Sequence, residues 1–185
     1  MSQTTDTLPV PLYSAAQVRE LDARLIAAGT PGYELMQRAA HAAWRALRRR
    51  WPDADEISVL AGRGNNAGDG YLIAALAQRA GRQVRVFAVG DPQQLQGDAA
   101  QAFAEAQAAG VEVTPWAAGT ELRGVLVDAL LGTGIAGEVR DPYASAIRAM
   151  NESAQPILSV DLPSGLCADT GHQLGSAVRA ELTVT

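Results

Sequence analysis

Three glycine-rich segments carry most of the residues in this sequence that could bind a ligand and act on it. They are residues 62–70 (GRGNNAGDG), 128–138 (DALLGTGIAGE) and 161–171 (DLPSGLCADTG). Glycine lets a ligand approach the main chain closely, and the N–H groups of such loops bind anions. The asparagine, aspartate and serine side chains add oxygen atoms that can transfer protons or bind a cation. These residue types predict an enzyme that binds a nucleotide.

Each segment follows or includes the end of a short run that is typical of a buried strand, namely residues 57–60, 125–128 and 157–161. After the first segment, helical periodicity begins at about Asp69, so free N–H groups and the helix dipole would face an anion. Ligands of open α/β sheets bind beyond the carboxyl ends of the strands. We therefore expect all three segments to meet at one edge of a sheet.

The rest of the chain supplies the elements that would position these segments. The pattern predicts further helices over residues 15–28, 35–47, 98–109 and 143–150, and further strands over 84–89, 111–113 and 182–185. This alternation predicts an α/β fold with a mostly parallel sheet and helices on both faces. We expect residues 1–12 to form a flexible arm and residues 13–185 to form one domain. Because the sequence stops within a strand pattern, we expect that domain to be incomplete at its C-terminus.

The composition argues against several classes of protein. With 185 residues, of which 48% are hydrophobic, the chain can bury the core of one domain. The net charge is −5 and no basic run exceeds residues 48–50, which disfavours nucleic-acid binding. No apolar run approaches the roughly 18 residues of a membrane span, and the polar start has no signal-peptide core. A single cysteine fits a protein of the reducing cytoplasm.

The first segment also matches the glycine fingerprint of dehydrogenases, through Gly62, Gly64 and Ala67. A lone match of this kind is weak. The second strand also lacks a clear acidic residue at its end, because Asp91 follows Gly90 in a predicted turn. An NAD(P)-dependent oxidoreductase would also need a substrate domain that this sequence lacks. No lysine follows any glycine loop, which disfavours a P-loop hydrolase.

Taken together, the three segments resemble, in order and spacing, the signature segments of the NAD(P)H-hydrate epimerase family, the YjeF N-terminal domain. The helix segment at residues 31–40 (PGYELMQRAA) is similar to that family as well, and the match extends from Tyr13 to Thr185. The resemblance implies a three-layer αβα, Rossmann-like domain with two extra N-terminal helices. It also implies interconversion of the R and S epimers of hydrated NADH and NADPH (NADHX and NADPHX), which carry a hydroxyl at nicotinamide C6.

The resemblance places the substrate contacts on a defined set of residues, which we carry over one by one. They are Asn65, Asn66, Ala67, Gly68, Asp69, Gly132, Thr133, Gly134, Ile135, Ala136, Gly137, Glu138 and Asp161. The main-chain N–H groups of residues 132–134 could hold a pyrophosphate. Two departures from the family pattern bear on the fit of the substrate. Ala67 stands for a glycine, which would add a methyl group beside the ligand, and Cys167 stands where an acidic or amide residue is expected.

The family's potassium ligands fall on Asn66, Asp128 and Ser164, so the resemblance implies a potassium ion as cofactor. The residue types suit it, because an amide carbonyl, a carboxylate and a hydroxyl offer the oxygen ligands that a hard cation prefers. The family further implies a homodimer and an ATP- or ADP-dependent NAD(P)H-hydrate dehydratase as functional partner, fused to this domain in many bacteria. A non-catalytic binding or scaffold module of the same fold is the alternative.

Epimerisation at C6 requires breaking and remaking its C–O bond, or opening the ring at the C6–N1 bond. Either route needs an acid and a base, and one carboxyl group with a raised pKa could serve as both. Asp161, at the end of a predicted strand, is our candidate for this catalytic group. Asp69, at the predicted start of its helix, could have a structural role as the cap of that helix instead of a role in the reaction.

Overall fold

One sheet of six strands organises the protein, and every strand runs parallel to its neighbours. The computed structural model describes residues 13–185, so the arm predicted over residues 1–12 lies outside the described residues. The strands are β1 (Glu56–Ala61), β2 (Gln83–Ala88), β3 (Glu112–Pro115), β4 (Val125–Ala129), β5 (Ile157–Val160) and β6 (Leu182–Val184). The predicted α/β fold is confirmed, and the sheet is parallel throughout this described range.

The strand order is β3-β2-β1-β4-β5-β6, so the direction of winding reverses between β1 and β4. Loops that leave the carboxyl ends of strands on the two sides of such a reversal diverge and open a crevice for a ligand. The register aligns Ala61 with Ala129, and Asp128 with Ser159. The three glycine-rich segments therefore leave the sheet side by side.

Helices cover both faces of the sheet. They are α1 (Ala15–Ala27), α2 (Gly32–Arg50), α3 (Asn65–Arg79), α4 (Gly97–Ala108) and α5 (Tyr143–Glu152). Alternate residues of the central strands point to opposite faces. Val59 and Val127 accordingly pack with α2, α3 and α4, whereas Leu60 and Leu126 pack with α5. This gives the three-layer Rossmann-like architecture.

Helix α3 begins at Asn65, four residues earlier than the periodicity indicated. The N-cap is Gly64, and no side chain caps the helix, so there is no capping residue for sequence reasoning to find. Two glycines let α3 pack closely. A Cβ built on Gly68 would lie 2.6 Å from the sulfur of Met36, and one on Gly70 would lie 2.5 Å from the Cβ of Ala129. These glycines serve helix packing.

Helix α1 lies at the surface and is attached to the third glycine-rich segment. A capping box between Ser14 and Gln17 starts the helix, and the N–H of Ala15 donates to Oδ1 of Asp169 at 2.9 Å. Its apolar residues Leu21 and Leu25 remain 43% and 47% exposed. In the described part of the chain, the helices are all too short or too polar to cross a membrane.

Candidate functional site

The three glycine-rich segments lie together at the carboxyl edge of β1, β4 and β5. The N–H of Thr133, in the second segment, donates to Oδ2 of Asp161, in the third, at 3.0 Å. A Cβ built on Gly132 would lie 2.8 Å from that same oxygen and 3.4 Å from the Cβ of Asn66, in the first segment. Glycine at position 132 is thus what allows the three segments to approach each other.

Asp161 sits directly after β5 in an unusual backbone conformation, with φ of 70°. Such left-handed values are costly for most side chains, although aspartate and asparagine tolerate them, and they often occur at functional sites. The N–H of Asp161 donates to the carbonyl of Val184 at 2.8 Å, which fixes the turn. Burial raises the pKa of Asp161, the bond from Thr133 lowers it, and the nearby Asp22 raises it further.

Asp69 does not cap its helix, because it is the fifth residue of α3 and the N-cap is Gly64. Its side chain is half-buried, and its Oδ1 has no hydrogen-bond partner within the described residues. Burial, together with the negative charge of Asp161, raises the pKa of Asp69 to about 7. At neutral pH, Asp69 is therefore protonated in a substantial fraction of molecules. The site thus brings together two carboxyl groups, of which Asp69 more readily retains the proton.

Asp128 is fully buried in β4 and accepts four hydrogen bonds. The hydroxyls of Ser159 and Ser164 donate at 2.7 Å and 2.5 Å, and the N–H groups of Ser164 and Leu130 donate at 2.8 Å and 3.3 Å. Burial raises the pKa of Asp128, and these donors oppose that rise. The network ties the loop after β5 to the end of β4.

Asn66 is only 8% exposed, yet neither its amide nitrogen nor its amide oxygen has a partner within residues 13–185. Unpaired buried amides are costly, so this side chain fits a site that is completed by a ligand. An amide oxygen, a carboxylate and a hydroxyl, as Asn66, Asp128 and Ser164 would supply, form a donor set suited to a monovalent cation. In the described residues, no group of three or more His, Cys, Asp and Glu side chains could hold a metal ion. The assignment of Asn66, Asp128 and Ser164 as potassium ligands stays a prediction.

The start of α3 is open to an anion. No side chain caps it, and a Cβ built on Gly64 would meet nothing within 4 Å. The N–H of Ala67 is already bonded to the carbonyl of Gly64 at 3.0 Å, which leaves the N–H groups of Asn65 and Asn66 for a ligand. The second segment is less available than predicted, since the N–H of Thr133 is used by Asp161.

The remaining predicted contacts differ in their surroundings. The side chain of Ala67 is fully buried with the α2, α3 and α4 core, so its methyl group faces the core and not a ligand, contrary to the prediction. Gly68 faces Met36. In the second segment, Ile135 is partly buried against the α5 side of the sheet, and Gly134, Ala136, Gly137 and Glu138 are exposed.

Two features of the site escaped sequence reasoning. Asp22 belongs to none of the three glycine-rich segments and is exposed on α1, but it lies near enough to Asp161 to raise the pKa of that carboxyl group. The sequence also offers no reason for a lowered pKa at Cys167. Hydrogen bonds from the side chain of Thr170 and from the main chain of Asp169 and Thr170 lower the pKa of the Cys167 thiol. Both pKa shifts depend on how the chain after β5 folds, because this folding brings Asp161 near α1 and Cys167 near Thr170.

Comparison with known proteins relates the chain to one family. The family described as YjeF-related protein N-terminus matches residues 32–185. The chain is 46% identical over 175 residues to the bifunctional NAD(P)H-hydrate repair enzyme Nnr of Coxiella burnetii, covering 94% of this chain and 36% of that protein. It is 37% identical over 176 residues to the NAD(P)H-hydrate epimerase of Limosilactobacillus fermentum, covering 93% of this chain and 83% of that protein.

The fold also has a close match among solved structures. The crystal structure of yeast ynu0 superimposes with a TM-score of 0.82, at 22% sequence identity, and covers 94% of this chain and 79% of that one. At this identity the match shows a shared fold. The chain spans 36% of the length of the Coxiella relative and 30% of the corresponding Escherichia coli protein.

Proposed function

The chain belongs to the family of YjeF-related protein N-termini, and on that basis we propose that it interconverts the R and S epimers of hydrated NADH and NADPH. The observation that carries this proposal is the hydrogen bond from Thr133 to Asp161, which holds the Asp161 carboxylate at the edge of the crevice. Asp69 lies close enough for the charge of Asp161 to raise its pKa. A pair of carboxyl groups with different affinities for a proton is what an epimerisation through acid and base requires.

The length of the relatives supports assigning the epimerase step to this domain. The relative from Limosilactobacillus fermentum is named an epimerase, and this chain covers 83% of it. The bifunctional relatives are much longer than this chain. We therefore propose that this domain acts together with further activities. The first of these is an ATP- or ADP-dependent NAD(P)H-hydrate dehydratase, as a fused domain or as a separate protein. We further propose a cytoplasmic homodimer.

The reaction at C6 is balanced by two proton transfers. The protonated carboxyl of Asp69 donates to the leaving hydroxyl, the C6–O bond breaks with its electron pair on oxygen, and water departs. The lone pair of N1 then forms a C6–N1 double bond. Water adds to the other face of C6 while the ionised carboxylate of Asp161 accepts its proton, which gives the opposite epimer. In the reverse direction the two carboxyl groups exchange roles, and return of the proton from Asp161 to Asp69 through solvent restores the enzyme for another turnover in the same direction.

The dinucleotide is held by groups that surround these carboxyls. The free N–H groups of Asn65 and Asn66, at the start of α3, bind the pyrophosphate. Gly134, where an added Cβ would meet nothing within 4 Å, leaves room for the ligand, and Gly132 lets the second segment lie against Asp161. Asn66, Asp128 and Ser164 would hold a potassium ion, whose charge would offset the carboxylates of the site. The loop from Ile135 to Glu138 would cover the outer part of the substrate.

The test is an epimer-exchange assay on a mixture of R- and S-forms of hydrated NADPH, with potassium present. A dehydratase specific for the S-form removes that epimer, and HPLC follows the R-form. The chain is expected to speed consumption of the R-form well above its spontaneous rate. A binding measurement on the same sample separates the alternatives. Intact binding without faster exchange would identify the chain as a non-catalytic module and would overturn the proposal.

A further inference from the structure

A basic side chain lies beside the site without a neutralising partner. Arg63 is the only basic residue in the three glycine-rich segments, and the sequence as a whole contains no lysine. Arg63 is exposed, and none of the ion pairs formed among residues 13–185 includes it. The same three segments contain five acidic residues, namely Asp69, Asp128, Glu138, Asp161 and Asp169. A substrate with several phosphate charges would therefore meet one arginine at an otherwise acidic edge.

The side chain of Arg63 lies over the carboxyl end of β2. A Cβ built on Gly90, two residues after β2, would lie 2.7 Å from Cδ of Arg63, 2.8 Å from Cγ and 3.4 Å from Nε. Gly90 also has φ of +115°, a value that favours glycine. Glycine at this position thus leaves the space in which the stem of Arg63 runs, close to the end of β2.

Asp91, the acidic residue next to Gly90 at the end of β2, is hydrogen-bonded within its own turn. Asp91 caps the short 3₁₀ turn at Pro92–Gln94, where its carboxylate accepts hydrogen bonds from the N–H of Gln93 at 2.9 Å and from Nε2 of Gln94 at 3.3 Å. In Rossmann-type sites the adenosine ribose lies near the end of this second strand. A carboxylate there binds the 2′-hydroxyl of the unphosphorylated dinucleotide, whereas an arginine binds a 2′-phosphate. This chain offers the arginine.

The reacting end of the substrate would lie on the opposite side of the reversal in strand order. Asp161 follows β5, and its partner Thr133 follows β4, whereas Arg63 lies on the β1 and β2 side. A dinucleotide that crosses the start of α3 with its nicotinamide at Asp161 would carry its adenosine ribose to the end of β2. Resting on the proposed function, we propose that Arg63 binds the 2′-phosphate of hydrated NADPH and makes this protein prefer it over hydrated NADH.

The experiment measures kcat/KM for epimerisation of both hydrated dinucleotides in the wild type, in Arg63→Gln and in Arg140→Gln. Arg140 is the matched control, since it is an exposed arginine that follows the second segment on the other side of the crevice. Loss of a charge-assisted contact to phosphate is expected to lower kcat/KM for hydrated NADPH roughly 10- to 100-fold in Arg63→Gln. The value for hydrated NADH should change by less than about threefold, and Arg140→Gln should keep the wild-type ratio.

Other results would overturn the inference. An equal loss for both substrates in Arg63→Gln, no loss for either, or a changed ratio in Arg140→Gln would each remove Arg63 as the selecting residue while epimerase activity stands. If the wild type epimerises neither substrate, the proposed function fails, and calorimetry with adenosine 2′,5′-bisphosphate and 5′-AMP then tests Arg63 by itself. Tighter binding of the bisphosphate that disappears in Arg63→Gln supports the inference, and equal binding of the two nucleotides overturns it.

Discussion

Ser164 donates both its main-chain N–H and its hydroxyl to the buried carboxylate of Asp128, at 2.8 Å and 2.5 Å. The same hydroxyl accepts the N–H of Leu131 at 2.9 Å. One side chain thereby joins the loops that follow β4 and β5. The position of Asp161, three residues before Ser164, depends on this junction. A structural network fixes the geometry of the proposed catalytic carboxyl.

Replacing Ser164 with alanine should destabilise the fold more than replacing Ser159. Ser164→Ala removes a donor to Asp128 and leaves the N–H of Leu131 unpaired, which is expected to cost about 2 to 4 kcal/mol of unfolding free energy. Ser159→Ala removes one donor to the same carboxylate and should cost about 1 to 3 kcal/mol. Urea denaturation at pH 7 measures both.

The same pair of variants tests the proposed cation site. Both serines contact Asp128, but only Ser164 is a candidate potassium ligand. The potassium concentration that half-saturates activity should therefore rise in Ser164→Ala and stay near the wild-type value in Ser159→Ala. An equal rise in the two variants would indicate that the effect comes from the disturbed carboxylate and would count against Ser164 as a ligand.

Asp161→Asn should abolish most epimerase activity while the ligand still binds. Asparagine tolerates the φ of 70° and can still accept the N–H of Thr133, so the fold should be kept. Loss of the proton-accepting group is expected to lower kcat about 100- to 10,000-fold. Steady-state kinetics and a thermal-shift measurement with substrate check the two parts. Turnover near the wild-type rate in a correctly folded variant would rule out the assignment.

Stability should respond to pH through Asp69. Its pKa is about 7 in the folded protein, against 3.8 for an unperturbed aspartate, so the folded chain binds more protons than the unfolded chain between these values. The free energy of unfolding therefore falls as pH rises from about 4 to about 7. Asp69→Asn cannot ionise and should not show this decrease. The free energy of unfolding of the variant minus that of the wild type should therefore be about 2 to 4 kcal/mol larger at pH 8 than at pH 4. Denaturation curves at both pH values decide it, and a difference that is constant with pH would show that Asp69 ionises normally.

Epimerase activity should decline at alkaline pH, and the pKa of Asp69 should set the pH at which the decline occurs. If protonated Asp69 is the acid, kcat/KM falls as pH rises through about 7, because the free enzyme loses that proton. Ionisation of Asp161, whose pKa is also raised, should limit the rate on the acidic side. A profile measured from pH 4 to pH 9 checks both limbs. An activity that stays constant from pH 6 to pH 9 would exclude Asp69 as the acid.

Alanine at Gly62 should affect mainly the stability of the fold, whereas alanine at Gly64 should affect mainly substrate binding. A Cβ on Gly62 would lie 2.0 Å from the carbonyl oxygen of Leu130, so Gly62→Ala must push the loops of β1 and β4 apart, which is expected to cost about 2 to 4 kcal/mol. Gly64→Ala meets nothing within 4 Å and should leave stability almost unchanged. Because Gly64 lies where the pyrophosphate would approach, its variant should instead raise KM. Thermal unfolding and kinetics on both proteins separate packing from binding.

Local sequence patterns were enough to predict the α/β class and the edge of the sheet at which the site lies. Strand patterns and glycine-rich segments are local, and in a parallel sheet all strands end on the same side, so residues 62–70, 128–138 and 161–171 had to converge. The order of the segments was also sufficient to identify the family. The helix start at Asn65 was missed because Gly64 caps α3 without a side chain.

The roles of individual residues within the segments depend on long-range contacts, and local patterns did not predict them. Ala67 turns into the core because α3 starts early and one face of it packs on α2 and α4. The raised pKa of Asp69 depends on burial and on Asp161, which is distant in sequence. The N–H of Thr133 serves Asp161 because the loops after β4 and β5 are held together through Asp128. Desolvation and hydrogen-bond geometry arise from contacts between distant segments, and no local pattern of residues encodes them.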